Sequence, residues 1–249
     1  GVPYTDNTWF MYYNKSKITE DEAKDFDTIL SKAKVAFSLQ NSWYINGFYD
    51  GLSLFGEKGN DADAGMVFPK DGADITSYLV DVVANPNFSN DDGASGLAAI
   101  KDGSADVLFS GTWSAKDVKE ALGDNYAATS LPTFTVNGQK KQMKSFAATK
   151  AAAYNPNAKN PKAAAQFAAY LGSTEAQKLH YEMRAIPPTD KSLSDLTVDD
   201  IAAKAQADTM ANTALLQSGL SGMNDWWTPA ETFGKALVNK EITKDNAAA

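Results

Sequence analysis

Cysteine is absent from the 249 residues, which excludes thiol catalysis, disulfides and cysteine-ligated metal. Histidine occurs once, as His180, in a stretch of helical pattern far from the tryptophan-rich loops. A Ser-His-Asp triad would have to be built on that one residue, and a structural role suits it better. Arginine also occurs once, as Arg184, which leaves little for bidentate clamping of phosphate or carboxylate. No run of eighteen apolar residues offers a membrane-spanning helix, and no signal peptide precedes Gly1. The chain opens in mid-element on Gly-Val-Pro-Tyr and closes in what reads as the start of a helix at 243–249, so both ends read as cut. Positive charge is short overall. The net charge of −8 repels polyanions and argues against nucleic acid, and a neutral ligand is the simplest fit.

What is present is a large apolar fraction, 43%, enough to bury the core of one large domain or two small ones. There are also five tryptophans. The chain is organised around residues 105–123. Ala105 to Phe109 reads as a buried strand, Ser110-Gly111-Thr112-Trp113 as a tight exit, and Ser114 to Gly123 as a helix that Ser114 caps and Gly123 closes. Ligands of open α/β sheets sit outside the carboxyl ends of strands, which is where Trp113 stands. Trp43, Trp226 and Trp227 also fall in short non-repetitive stretches, and only Trp9 looks strand-borne. A flat indole pairs a large apolar body with one polar handle, which suits the face of a sugar ring. Packing in the core is the competing role for each of them.

Periodicity places the remaining elements. A capping box at Thr19 and Glu22 predicts an amphipathic helix through Ala33, and Val35–Leu39 a strand. Gln40 to Asn46 crowds amides, a hydroxyl and two aromatics ahead of a helix expected through Phe48, Leu52 and Phe55. A short strand is expected at Met66–Phe68. A helix is expected from Asp74 to Val83, and another ends at Gly103, with Asp91 and Asp92 in its first turn rather than in a calcium loop. Asn137-Gly138 predicts a hairpin, with Lys140, Lys141 and Lys144 on a solvated turn beside it. Phe146 to Ala153 reads as a buried strand. Helices are expected from Pro161, from Ser173, over Val198–Leu216, and from a capping box at Thr228 that leaves both tryptophans ahead of it.

In order along the chain, several of these stretches resemble the extracellular solute-binding proteins of sugar ABC importers, in particular the maltose- and maltodextrin-binding group. The stretches are Tyr13-Asn14-Lys15, Phe37 to Tyr44, Ala105 to Trp113 and Leu131-Pro-Thr-Phe134, followed by Asn160 to Gln177 and Ile186-Pro187-Pro188. The resemblance implies an α/β, periplasmic-binding-protein-like fold of type II, with a mixed sheet flanked by helices: one nearly complete lobe plus part of the other. On that pattern 1–12 is the hinge crossover and 13–135 the second, C-terminal lobe. Residues 136–189 are the returning portion of the first lobe, and 190–249 the closing helices of the second. Most of the N-terminal lobe has no counterpart, so the chain reads as a fragment, a processed product or an engineered piece, with another chain as one place for the missing lobe.

The resemblance further implies a substrate site of Trp113, Tyr44 and Trp227, with Trp43 and Trp226 as neighbours. Asn41 stands where the family often has an acid, and Asp6 and Asn7 form a polar contact at the crossover. It implies maltodextrin or a similar oligosaccharide as ligand, and the membrane permease of an ABC importer as partner. A monomer is implied, with no cofactor and no metal, in an extracellular or periplasmic location that allows a lipid tether outside this chain. Two other functions stay open on the residues alone. A glycoside hydrolase acting on α-glucan would need paired carboxylates, for which Asp117 and Asp225 are the candidates. A protein-interaction module would use the exposed tryptophans as anchors.

Overall fold

The computed structural model describes residues 1–248. The chain opens with β1 (Val2–Asn7) and β2 (Phe10–Asn14). The capping box forms as expected: Thr19 N–H donates to the Glu22 carboxylate, and Glu22 N–H donates to the Thr19 hydroxyl. It starts only a 3-10 turn, and α1 (Phe26–Lys32) begins a turn later, where the Asp25 carboxylate accepts from Thr28 N–H. After β3 (Val35–Phe37) the helix expected through Phe55 does not form. The backbone makes a 3-10 turn at Ile45–Phe48 and then β4 (Ser53–Leu54). Gly51, Phe55 and Gly56 all lie at positive φ, which carries the chain out of any helical path.

β5 (Met66–Val67) pairs with β4. Next come α2 (Gly72–Ala84), β6 (Phe88–Asn90), α3 (Ser95–Asp102), β7 (Val107–Ser110) and α4 (Ala115–Leu122). α2 starts ahead of Asp74, and α3 closes on Gly103 at φ 77°. β8 (Tyr126–Thr129) leads to the hairpin of β9 (Thr133–Val136) and β10 (Gln139–Gln142), turned by Asn137 and Gly138, both at positive φ. Then follow β11 (Ser145–Ala152), α5 (Pro161–Leu171), α6 (Thr174–Arg184), α7 (Ile201–Asn212), β12 (Ala214–Leu216) and α8 (Asn224–Val238).

Asn160 and Ser173 cap α5 and α6 through their side chains. α7 is shorter than expected because residues 214–216 leave the helix to pair with β11. β11 is buried only at Ser145–Ala147, and its far half is open to solvent. At 243–248 the chain makes a turn instead of a helix, with Thr243 N–H donating to the Asn246 side chain. Residue 249 lies outside the described residues.

Two main sheets organise these elements. The larger runs in the order β6-β3-β7-β2-β8, with β3 parallel to β6 and β7, and β2 antiparallel to β7 and β8. Both faces are covered, and alternation along β2 shows how: Met11 and Tyr13 enter the core with Trp9, Phe26, Phe37 and Phe109, while Phe10 and Tyr12 enter a second core under α3, α4 and α7. The smaller sheet is β1-β11-β12, in which β1 pairs antiparallel with β11 from Val2↔Ala152 to Asn7↔Ala148. Against it α5 and α6 present apolar side chains to solvent, Phe167 at 61% and Met183 at 64% exposure among them.

Candidate aromatic binding site

β7 delivers Trp113. The strand ends at Ser110, Gly111 is extended, and a 3-10 turn at Thr112–Ser114 runs into α4. Ser114 does not cap that helix as expected, because its hydroxyl is shared with Ser110 at 2.8 Å. A Cβ on Gly111 would lie 2.1, 2.3 and 2.5 Å from three consecutive atoms of the Trp113 ring. Such similar distances place it over the ring face rather than beyond its edge. The Gly111 backbone therefore backs one face of the indole, and only glycine allows that approach. Trp113 itself is 37% exposed.

The loop at 41–44 brings the second ring. Asn41 Oδ1 accepts from Trp43 N–H at 2.8 Å, so this side chain is engaged in shaping the turn. Two indoles from elsewhere hold the loop: Trp226 Nε1 donates to the Ser42 carbonyl and Trp9 Nε1 to the Trp43 carbonyl, each at 2.9 Å. The half-buried ring of Trp43 stands 6.1 Å from that of Trp113, tilted by 41°, and its Nε1 donates to Gln217 Oε1 at 2.9 Å.

One expected platform, Tyr44, and one expected neighbour, Trp226, are core residues. Tyr44 is only 8% exposed; its ring stacks on Trp9 at 5.0 Å and 20° and meets Phe37 edge-on, and burial pushes its hydroxyl pKa well up. Trp226 is 5% exposed, between Phe68 and Phe146. Trp227 is half-buried, its ring edge-on to Phe146 at 5.9 Å. Both lie in the first turn of α8, not ahead of the helix, and Pro229 sits inside it.

Asp6 and Asn7 end β1, half-buried. Asp6 Oδ1 accepts from the Thr149 hydroxyl at 3.2 Å, and Asn7 pairs with Ala148. The next residue of β11, Lys150, holds its Nζ 5.4 Å from the centre of the Trp113 ring, which joins the smaller sheet to the site. The structure thus brings Trp43 and Trp113 together, sets Asp6 and Asn7 on the strand beside Lys150, and withdraws Tyr44 and Trp226. Sequence reasoning missed Gln217 and Lys150. Gln217 carries no local signal, whereas Lys150 interrupts a run of small residues from Ala147 to Ala153.

The other polar clusters are accounted for. Lys141 and Lys144 pair with Asp71 and Asp50 at 2.6 and 2.9 Å. Asp117 pairs with Lys101 at 2.6 Å, and Asp91 receives the Gly93 and Gly96 N–H groups at the start of α3. Among the described residues no group of three or more His, Asp or Glu side chains could hold a metal, and no helix is long and apolar enough to cross a membrane.

Residues 1–214 match the family of bacterial extracellular solute-binding proteins. The chain belongs to that family. Among relatives of this solute-binding protein is the galactooligosaccharide-binding protein of Bacillus subtilis (strain 168), 27% identical over 259 residues and aligned over 93% of this chain and 59% of its own length. Another is a maltooligosaccharide ABC transporter solute-binding lipoprotein of Streptococcus pneumoniae (strain ATCC BAA-255 / R6), also 27% identical, over 94% of this chain and 59% of its own.

A solved structure obtained with acarbose superposes with a TM-score of 0.94 at 43% identity, over 99% of this chain and 67% of that one. The fold is also that of MalX from Streptococcus pneumoniae in complex with maltopentaose (TM-score 0.77, 22% identity, 98% and 70% covered). The fold class is therefore the type II periplasmic-binding arrangement, a mixed α/β architecture of sheets flanked by helices. The solute-binding chain spans 59% of the length of the two relatives named first.

Proposed function

We propose that this chain forms one side of a non-catalytic site for a neutral oligosaccharide of the maltodextrin class, which the complete protein delivers to the permease of an ABC importer outside the cytoplasmic membrane. The observation that carries the reading is a pair of neighbouring indoles, exposed Trp113 past the carboxyl end of β7 and half-buried Trp43 at 6.1 Å from it. Two tilted aromatic faces suit adjacent sugar rings, and the amides and hydroxyls nearby suit their OH groups. In this reading Trp113, Trp43 and Trp227 are the platforms, Gln217 orients Trp43, and Asp6, Asn7 and Asn41 supply polar contacts. The acarbose of the superposed structure and the maltooligosaccharide of the pneumococcal relative support the substrate class.

Residues 1–12 then serve as the crossover, 13–135 and 190–249 as the second lobe, and 136–189 as the returning part of the first. The exposed apolar face of α5 and α6, a groove of about 890 Å³ lined by Tyr154, Phe167, Leu171, Leu179 and Met183, is where the rest of the first lobe packs. Calorimetry with maltotriose tests the reading, on this chain and on one completed with the N-terminal lobe of a maltodextrin-binding relative. Saturable heat in the completed protein is expected, near the roughly 8 kcal/mol of a micromolar ligand. No heat in either would reject the sugar assignment.

A further inference from the structure

Lys150 lies on the exposed half of β11, on a different sheet from the one that delivers Trp113, yet its ammonium stands 5.4 Å from the centre of the Trp113 ring. That is within the range of a cation–π contact. Among the described residues no carboxylate lies within ion-pairing distance of this ammonium. Lys150 and Arg184 both help hold the His180 pKa down, so these two cations share one side of the molecule. The indole is therefore a close attractive partner for an ammonium that no ion pair holds elsewhere. The ring has limited room to offer: the Gly111 backbone backs one face, and Trp43 stands at 6.1 Å. A sugar that stacks on Trp113 has to use the remaining face.

We propose that Lys150 controls access to the Trp113 platform. Its ammonium covers the open face of the indole until a sugar ring displaces it, so each stacking event exchanges a cation–π contact for a carbohydrate–π contact. The residue is thus specificity-determining in two ways. It lowers the affinity for neutral rings at this subsite by the worth of the contact it gives up, and it repels a saccharide that carries a protonated amine there. The inference rests on the oligosaccharide reading above for its ligand, but not for the Lys150–Trp113 contact itself.

Two measurements separate those parts. Acrylamide quenching of tryptophan emission, with no sugar present, compares wild type, K150M and K150R, each also in a W113F background that isolates the Trp113 signal. K150M is expected to raise the Trp113-dependent quenching constant and K150R to restore it; an unchanged constant in K150M overturns the proposal whether or not any sugar binds. Titration with maltotriose on the completed protein follows. K150M is expected to bind about two- to fivefold tighter, the range of an exposed cation–π contact. Weaker binding by K150M would make Lys150 a sugar contact rather than a competitor, and would also overturn it. Failure of every variant to bind maltotriose would count against the proposed function, leaving the quenching result to decide the Lys150–Trp113 contact.

Discussion

At the scale of single residues the site depends on a hydrogen atom at position 111. Alanine there would force a methyl group into the face of Trp113, 2.1 Å from the nearest ring atom. The backbone of Gly111 is extended at φ −105°, so alanine costs nothing in conformation and the whole effect falls on the indole. G111A is expected to leave the melting temperature nearly unchanged, shift tryptophan emission, and weaken oligosaccharide binding about five- to a hundredfold, since a displaced platform loses roughly the 1–3 kcal/mol of a stacked ring.

His180 makes a second residue-scale prediction. Desolvation, then Arg184 and Lys150, hold its pKa below the ordinary 6.5, and its ring rests against Tyr4 at 5.7 Å. The folded protein therefore binds this proton less readily than the unfolded chain does, so stability is full above 6.5 and falls as the pH drops through it. Between about pH 7.5 and pH 5.5 the melting temperature is expected to fall further for the wild type than for H180Q. Parallel curves would show that the imidazole titrates alike in both states.

Elements set what the residues can reach. α8 lies so close to the 39–40 backbone that a Cβ on Gly234 would stand 2.3 Å from the Leu39 carbonyl oxygen and 2.8 Å from the Gln40 Cα. Alanine would gain about 0.5–1 kcal/mol of helix propensity. It would also overpack a rigid backbone contact at roughly 1–3 kcal/mol, and the second effect wins. G234A is expected to lower the urea midpoint and, by tilting α8, to loosen the Trp226 bond to Ser42 that holds the loop of Trp43.

The same helix marks where reading from sequence stops. Its proline and the Thr228 box predict a start after the tryptophans, yet Trp226 is locked between Phe68 and Phe146 and draws the first turn forward. Signals that act within a few residues were legible: the Asn137-Gly138 turn, the helix starts at Pro161 and Ser173, and the strand-turn-helix order around Trp113. Signals set by distant packing were not. Trp43 and Tyr44 are adjacent in a stretch without periodicity, and Trp9, thirty-odd residues away, decides that Tyr44 is the one buried.

For the whole molecule, the apolar face of α5 and α6 is the dominant surface feature. Phe167, Leu179 and Met183 stand on it at about half exposure or more. Contiguous apolar surface of this kind drives association when nothing covers it. Sedimentation velocity is expected to show concentration-dependent self-association of this chain, abolished by the double change F167E and M183E and absent from a protein completed with its first lobe. A monomer at high concentration without either change would mean that the face is tolerated by water.

One pairing has a consequence for how the chain comes into being. Val2 finds its partner at Ala152, so β1 and the strand beside it are separated by some hundred and fifty residues of synthesis. At about 5–20 residues per second that interval is on the order of ten seconds. The larger sheet, whose five strands all lie between Phe10 and Thr129, is free to close while β1 still waits for β11. Among the described strands, the larger sheet thus has all its members before the β1–β11 seam can be sewn.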